Sequence, residues 1–356
     1  MIKNELLKRK LPDLLKFASD KKVETPEDWQ VRRKEIRHIL SREFIGFEPS
    51  IAYKTDMEVI RTKENDYGSK AETSECQLNI KSDYSHCTIP FTITLPKNKK
   101  LSPIFIYLSF TNVIADGIGE EIIDSGYGIV NLFYQDICAD YYDKHMTGLG
   151  RFSSRNSFDS WGKLKMWAWT TQRILDVLNA SASDIDKKKI AVMGHSRLGK
   201  AALIAGAFDE RFSLTVSCQS GAGGAALFRG KTGENIENLK GTGSRLWFNG
   251  NFFSYKEDEL PFDQHFLLSL IAPSHLYVSS AREDHWADPK SEFLSCVATN
   301  PAYEILGEKG LIYKDYCKVG EYLHEGKIGY HLRKGGHYLS RDDWQLVMAY
   351  RNKNNI

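Results

Sequence analysis

The chain has 356 residues, 42% hydrophobic and 12% aromatic, enough for one large domain or two ordinary ones with a sizeable core. Its 48 Lys and Arg nearly balance 46 Asp and Glu, net charge +2, and no long basic run follows the N-terminus, so nothing calls for nucleic acid. No apolar stretch reaches the ~18 residues of a membrane helix, and Cys76, Cys87, Cys138, Cys218, Cys296 and Cys317 form no C-x-x-C pair, which leaves no zinc pattern and reads most simply as thiols in a reducing compartment.

Residues 1–46 read as helical, and residues 1–50 as an extension packed outside a main domain of residues 51–356. Thr25-Pro26-Glu27-Asp28 is a helix start, with Thr25 as N-cap, Pro26 in the first turn and acids near the positive end. Gly46 is its stop. Lys8-Arg9-Lys10 reads as a solvated helix face. The first residues are charged and lack the apolar segment of a secretory leader, so the expected location is cytoplasmic.

From 51 to 95, short alternating runs point to antiparallel strands, the clearest at 87–95 (CTIPFTITL), followed by a turn at 96–100. Strand signals at 103–110, 127–133, 190–193, 213–217, 276–280 and 328–332 then alternate with helix signals at 161–178, from Leu198 onward, and at 342–350. This alternation predicts an α/β fold in three layers, with a mostly parallel central sheet between helices. Antiparallel strands at its start make the sheet mixed. Residues 221–258 break the rhythm. The run Gly221-Ala222-Gly223-Gly224 precedes Trp247, Phe248, Phe252, Phe253 and Tyr255, which read either as a loop with its own aromatic core or as a substrate-lining insert.

The centre of the chain is Ile190-Ala191-Val192-Met193-Gly194-His195-Ser196-Arg197-Leu198-Gly199-Lys200. A buried strand runs into a tight turn at Ser196 and then into a helix, as in the nucleophile elbow of the α/β-hydrolase fold. Such a turn holds a hydroxyl clear of both elements and aims the first helix amides at developing negative charge. The match to G-x-S-x-G is loose, because Leu198 stands where the second Gly is expected and Gly199 follows one residue later. A Ser in an ordinary βα turn is the alternative.

A serine nucleophile needs a base and an acid that orients it, and in this fold they follow the Ser in the order acid, His. His337 lies on the Gly-rich run Lys334-Gly335-Gly336-His337-Tyr338 after the last strand signal. His331, inside that strand, reads as structural. The preceding strand leads into Ala281-Arg282-Glu283-Asp284-His285-Trp286-Ala287-Asp288-Pro289, where Asp284 is best placed as the acid. Asp288 fits better as an N-cap before Pro289, and Glu283 as a solvated residue or a partner of Arg282.

The elbow 194–200 resembles that of the glucuronoyl esterases, in which the Gly also falls one place late and a Lys follows. The segment Gln219-Ser220-Gly221-Ala222-Gly223-Gly224-Ala225-Ala226 is similar to the family's, as are 260–265, 271–273, the loop 283–289, and 329–331 with 335–337. The resemblance runs in order from about residue 100 to 344 and is weak over the first 50. It implies hydrolysis of an ester between a glucuronic acid carboxyl on xylan and an alcohol, with no metal or other cofactor. It further implies Ser196 as nucleophile, His337 as base, and Arg197 beside the oxyanion, where a guanidinium suits the charge that develops. A surface Arg paired on its helix is the plainer reading of Arg197.

Lys200, Glu234 and Trp286 match positions that contact the sugar. Many members carry the acid as a Glu where this chain has Gln219, which is counted here with the substrate-facing residues. Some bacterial members use an Asp after the later strand, which Asp284 matches. The expected partner is a carbohydrate ester, with the oligomeric state left open. Without a leader, an imported uronoyl-ester oligosaccharide suits the chain better than polymeric cell wall. An acetylated-sugar or acetylxylan deacetylase and a non-catalytic carbohydrate-binding protein on a hydrolase scaffold are the two alternatives.

Overall fold

The structure, a computed structural model, describes residues 2–141, 145–152, 157–241 and 243–356. Its strands are β1 (Tyr53–Asp66), β2 (Ala71–Ser82), β3 (His86–Pro96), β4 (Ser102–Ser109), β5 (Gly128–Phe133), β6 (Ile185–His195), β7 (Leu214–Cys218), β8 (His275–Ala281), β9 (Tyr322–Leu323) and β10 (Ile328–Arg333). They form one sheet in the order β1-β2-β3-β5-β4-β6-β7-β8-β10-β9. From β5 to β10 every pair is parallel. The wing β1–β3, its junction with β5, and the short β9 are antiparallel. The apolar runs of β4, β6, β7 and β8 follow from this, because a central parallel strand is covered on both faces.

Helices form the outer layers. Lys163–Ser181, Arg197–Phe208 and Pro289–Glu304 pack into one apolar cluster on one face. Arg341–Asn354 packs into a second cluster through Trp344, Val347, Met348 and Tyr350. This is the three-layer arrangement expected of the βαβ alternation. The chain steps from β4 outward to β5 and then returns to place β6 on the other side of β4. The carboxyl ends of β4 and β6 therefore flank a topological switch point, where open α/β sheets hold their ligands.

The N-terminal region differs from a continuous helical reading. Helices occupy Ile2–Lys8 and Pro26–Leu40, with a π-helical turn at Ser41–Ile45. Between them the chain makes turns and a bridge between Lys16 and Lys22. Pro12 cannot continue a helix, and the Arg9 guanidinium is drawn inward to the carbonyl of Arg229 and the hydroxyl of Ser291, both at 2.8 Å. Thr25 caps the second helix by accepting from the Asp28 N–H at 3.1 Å. Trp29, Ile36, Leu40 and Phe44 are fully buried and belong to the larger apolar cluster, so this segment is continuous with the main core rather than laid on its outside.

Residues 221–258 contribute an aromatic core. Phe248 and Phe252 pack with Phe44 at 4.9 and 5.1 Å between ring centroids. Trp247, next in sequence to Phe248, turns instead toward the Ser196 elbow.

Because Trp29 is 0% exposed, Trp29→Ala should lower stability by about 3–5 kcal/mol within a single unfolding transition. Separate melting of the N-terminal region, with the main transition unmoved, would contradict the shared core.

Candidate active site

Ser196 sits at φ 56°, ψ −129°, a left-handed setting that a side chain rarely adopts. The sequence makes this turn possible through its neighbours. A Cβ on Gly194 would lie 2.2 Å from the carbonyl oxygen of Leu198. Gly199 lies equally close to β6 and β7, with a Cβ there 3.1 Å from the Gly194 oxygen, the Ser217 hydroxyl and Ser220. The late glycine thus lets the helix approach the sheet, while Leu198 fills the core. The Ser196 N–H is held by the Cys218 carbonyl at 2.8 Å. The next N–H groups have no intrahelical acceptor and face the turn with the positive end of the helix.

The structure brings Ser196, His337 and Asp284 into one chain of hydrogen bonds. His337 Nε2 lies 2.8 Å from Ser196 Oγ, and Nδ1 lies 2.7 Å from Asp284 Oδ2. The imidazole is 40% exposed and the carboxylate side chain only 2%. Burial pushes the Asp284 carboxyl up, but the hydrogen bond and charge of His337 and the Ala287 N–H outweigh it, so its pKa lies below the ordinary value. His195, one residue before the nucleophile, packs its ring 4.8 Å from that of His337. Burial first, then the His337 charge, push His195 down to about 4, so it faces His337 as a neutral ring.

Arg197 is not paired on its own helix. Its Nη1 donates to Asp140 Oδ2 at 2.6 Å, and the other oxygen of Asp140 accepts from Trp247 Nε1 at 2.7 Å. The guanidinium lies 4.8 Å from the Trp247 ring and 5.8 Å from that of Phe110. Asp140 is missing from the sequence reading because nothing local marks it. Lys200 is 3% exposed, donating to Glu234 Oε2 at 2.9 Å and to the carbonyl of Ala222. The Glu234 N–H donates to the Trp286 carbonyl at 3.0 Å, and Trp286 is 53% exposed. Lys200 and Glu234 are therefore paired, with the backbone of Trp286 beside Glu234.

Gln219 does not join them. It is 1% exposed and its Nε2 donates inward, to Ser279 Oγ at 2.7 Å and to Asp343 Oδ1 at 3.1 Å. A carboxylate at 219 would face the buried carboxylate of Asp343, whereas an amide donates to it. Asp343 also accepts from His331 Nε2 at 3.0 Å, Arg333 Nε at 2.8 Å and the Ser340 N–H at 2.8 Å. Burial would raise its pKa, but the hydrogen bond and charge of His331, the Arg333 charge and the Ser340 N–H hold it well below the carboxylate range. Asp288 caps Pro289–Glu304 through the Ser291 N–H. Glu283 is exposed. Among the described residues, no group of three or more His, Cys, Asp or Glu could hold a metal ion, and no helix is long and apolar enough to cross a membrane.

The family model for glucuronyl esterases of fungi matches residues 78–307. A carbohydrate esterase from an unknown prokaryotic organism, MZ0003, is 31% identical, covering 96% of this chain and 88% of its own length. The chain belongs to the glucuronoyl esterase family. A 4-O-methyl-glucuronoyl methylesterase of Hypocrea jecorina is 31% identical over 88% of this chain, which spans 66% of the fungal enzyme. The solved glucuronoyl esterase of Solibacter usitatus superposes with a TM-score of 0.88 at 30% identity, covering 96% of this chain and 97% of that one. The glucuronoyl esterase of Teredinibacter turnerae T7901 gives 0.85 at 28% identity, covering 98% and 90%. Membership makes the chain a carboxylic ester hydrolase with the α/β-hydrolase fold.

Beneath the site, Glu292 is 0% exposed and accepts from the Gly221 N–H at 2.9 Å and the Ser280 hydroxyl at 2.6 Å. It thereby holds the loop that presents the Ala222 carbonyl to Lys200. Burial pushes its carboxyl from 4.5 up to about 7, against those two hydrogen bonds and with Asp284 and Asp288 adding to the rise. A carboxyl raised in the folded state binds its proton more tightly folded than unfolded. Its contribution is complete below pH 4.5 and is lost as pH rises to about 7. Glu292→Gln keeps the shape and removes the titration. Relative to the parent, this variant should gain about 3 kcal/mol of stability across that range. Thermal unfolding across the range measures it, and parallel pH curves would contradict the assignment.

Proposed function

We propose that the chain hydrolyses a uronic-acid ester of a carbohydrate through an acyl-enzyme on Ser196. The observation that carries this reading is the unbroken chain Ser196 Oγ, His337 and Asp284 at 2.8 and 2.7 Å. His337 Nε2 takes the hydroxyl proton as Oγ attacks the ester carbonyl. The tetrahedral oxyanion forms beside the free amides at the start of Arg197–Phe208 and the Arg197 guanidinium. Asp140 orients that guanidinium, and the flanking Trp247 ring limits its motion. Collapse expels the alcohol, which takes its proton from His337. A water molecule, deprotonated by the same nitrogen, then releases the uronic acid. Asp284 fixes the tautomer with the proton on Nδ1 and stabilises the imidazolium. Lys200 and Glu234 offer a donor and an acceptor to sugar hydroxyls, and Trp286 an apolar face for a pyranose ring.

Benzyl glucuronate tests this directly. The parent protein should turn it over and Ser196→Ala should not. Asp284→Asn should lower kcat by about 10⁴, because the His337 tautomer is then wrong, and near-normal turnover would remove Asp284 from the role. Cleavage of an aryl acetate without benzyl glucuronate would replace the uronate with an acetylated sugar. Silence on both would favour a binding protein on this scaffold.

A further inference from the structure

Glu234 and Trp286 stand on different loops, and one cation ties the two loops together. The first loop follows β7 and carries Lys231 and Glu234. The second follows β8 and carries Asp284, Trp286 and Asp288. They run side by side. The Thr232 N–H donates to Asp288 Oδ2 at 2.9 Å, and the Glu234 N–H donates to the Trp286 carbonyl at 3.0 Å. Gly233, between those two contacts, has φ 72°, and a Cβ there would lie 2.4 Å from the His285 oxygen and 2.5 Å from the Trp286 oxygen. A glycine is what lets the backbones approach so closely.

Lys231 closes this contact. Its Nζ donates to the carbonyls of Thr232 and Glu234 on its own loop and, at 3.4 Å, to that of Trp286 on the other. An ammonium has three N–H donors, so the charged side chain serves all three carbonyls at once. The Trp286 oxygen thereby accepts from both Lys231 and the Glu234 N–H. The Glu234 carboxylate in turn accepts from Lys200 at 2.9 Å, four residues beyond Ser196. Asp284 is held from elsewhere, by His337 Nδ1 at 2.7 Å and the Ala287 N–H at 3.2 Å. The clamp therefore acts on Glu234 and its pairing with Lys200 rather than on the triad. Burial pushes the Lys231 amine from 10.5 down to about 8; Asp288, Glu234 and Glu292 act against the shift and Lys200 acts with it.

We propose that Lys231 is a positioning residue for the substrate, clamping the loop of Glu234 to the loop of Trp286 so that the acyl group meets a fixed set of polar partners. The proposal rests on the proposed function for what is bound. In kinetics on benzyl glucuronate, Lys231→Met should raise KM about tenfold with kcat within about twofold, the split expected when ground state and transition state lose the same binding. Lys231→Arg keeps a cation with several donors and should restore KM. The parent KM should also climb as pH rises past about 8, where the amine loses its proton and one donor, and the KM of Lys231→Arg should not. An unchanged KM in Lys231→Met, a fall in kcat in place of the rise in KM, or the same climb in Lys231→Arg would overturn the proposal. Hydrogen exchange tests the clamp without a substrate. The Glu234 amide, which donates to the Trp286 carbonyl, should exchange about tenfold faster in Lys231→Met than in the parent, and equal exchange would overturn the clamp. Failure of the parent to hydrolyse benzyl glucuronate would count against the proposed function, and the exchange result would still decide the clamp.

Discussion

The site depends on a charge buried behind it. Asp343 is fully buried at the start of the closing helix, and donors from four residues, Gln219, His331, Arg333 and Ser340, converge on it. Arg333 leaves β10 already paired with this carboxylate, and its other nitrogens hold the carbonyls of Lys334, Gly336 and Tyr338. These are the residues that flank His337. A buried ion pair of this kind adds little net stability, but breaking it strands a charge. Its use here is geometric. It fixes the loop that carries the imidazole, and that loop in turn accepts the Glu283 N–H through Gly335, beside Asp284. The same carboxylate dictates the chemistry of position 219, where an amide can lie against it and a second carboxylate cannot without taking up a proton.

The rest of the site follows from the sheet. The switch in strand order between β4 and β6 leaves a gap at their carboxyl ends, and the strained turn after β6 raises Ser196 into it. From the β4 side comes Phe110, and from the segment after β5 comes Asp140, which together with Trp247 sets the Arg197 guanidinium. The glycines at 194 and 199 pack the elbow helix close enough for its amides to share that space. Shape and electrostatics are thus built from different parts of the chain, and the buried networks of Asp343 and Glu292 keep those parts in register.

Much of this was legible in the sequence because its signals are local. Each parallel strand is a short apolar run, and Ser196, Asp284 and His337 each follow one directly, so their order and placement could be read from the alternation alone. What escaped notice is non-local. The contacts of Asp140 with Arg197 and Trp247 join residues 57 and 107 apart, and Gln219 meets Asp343 over 124. No spacing rule reaches such distances, so Gln219 was grouped with the sugar-facing residues although it points inward. The helix Pro289–Glu304 gave no clear period, because its buried residues include Ser291, Ser295 and Thr299 beside Phe293 and Leu294. Residues 9–25 looked helical for the opposite reason. Leu11, Leu14 and Leu15 carry a helical spacing, but Pro12 and the inward pull on Arg9 prevent the helix from forming.

The most direct test of the account is to acid-quench the protein during turnover of a uronoyl ester and map the peptide spanning Ser196 by mass spectrometry. The account predicts a uronoyl adduct on Ser196 that builds up before steady state and is absent from Ser196→Ala. Release of the uronic acid with no adduct on that peptide, or an adduct on a different residue, would contradict it.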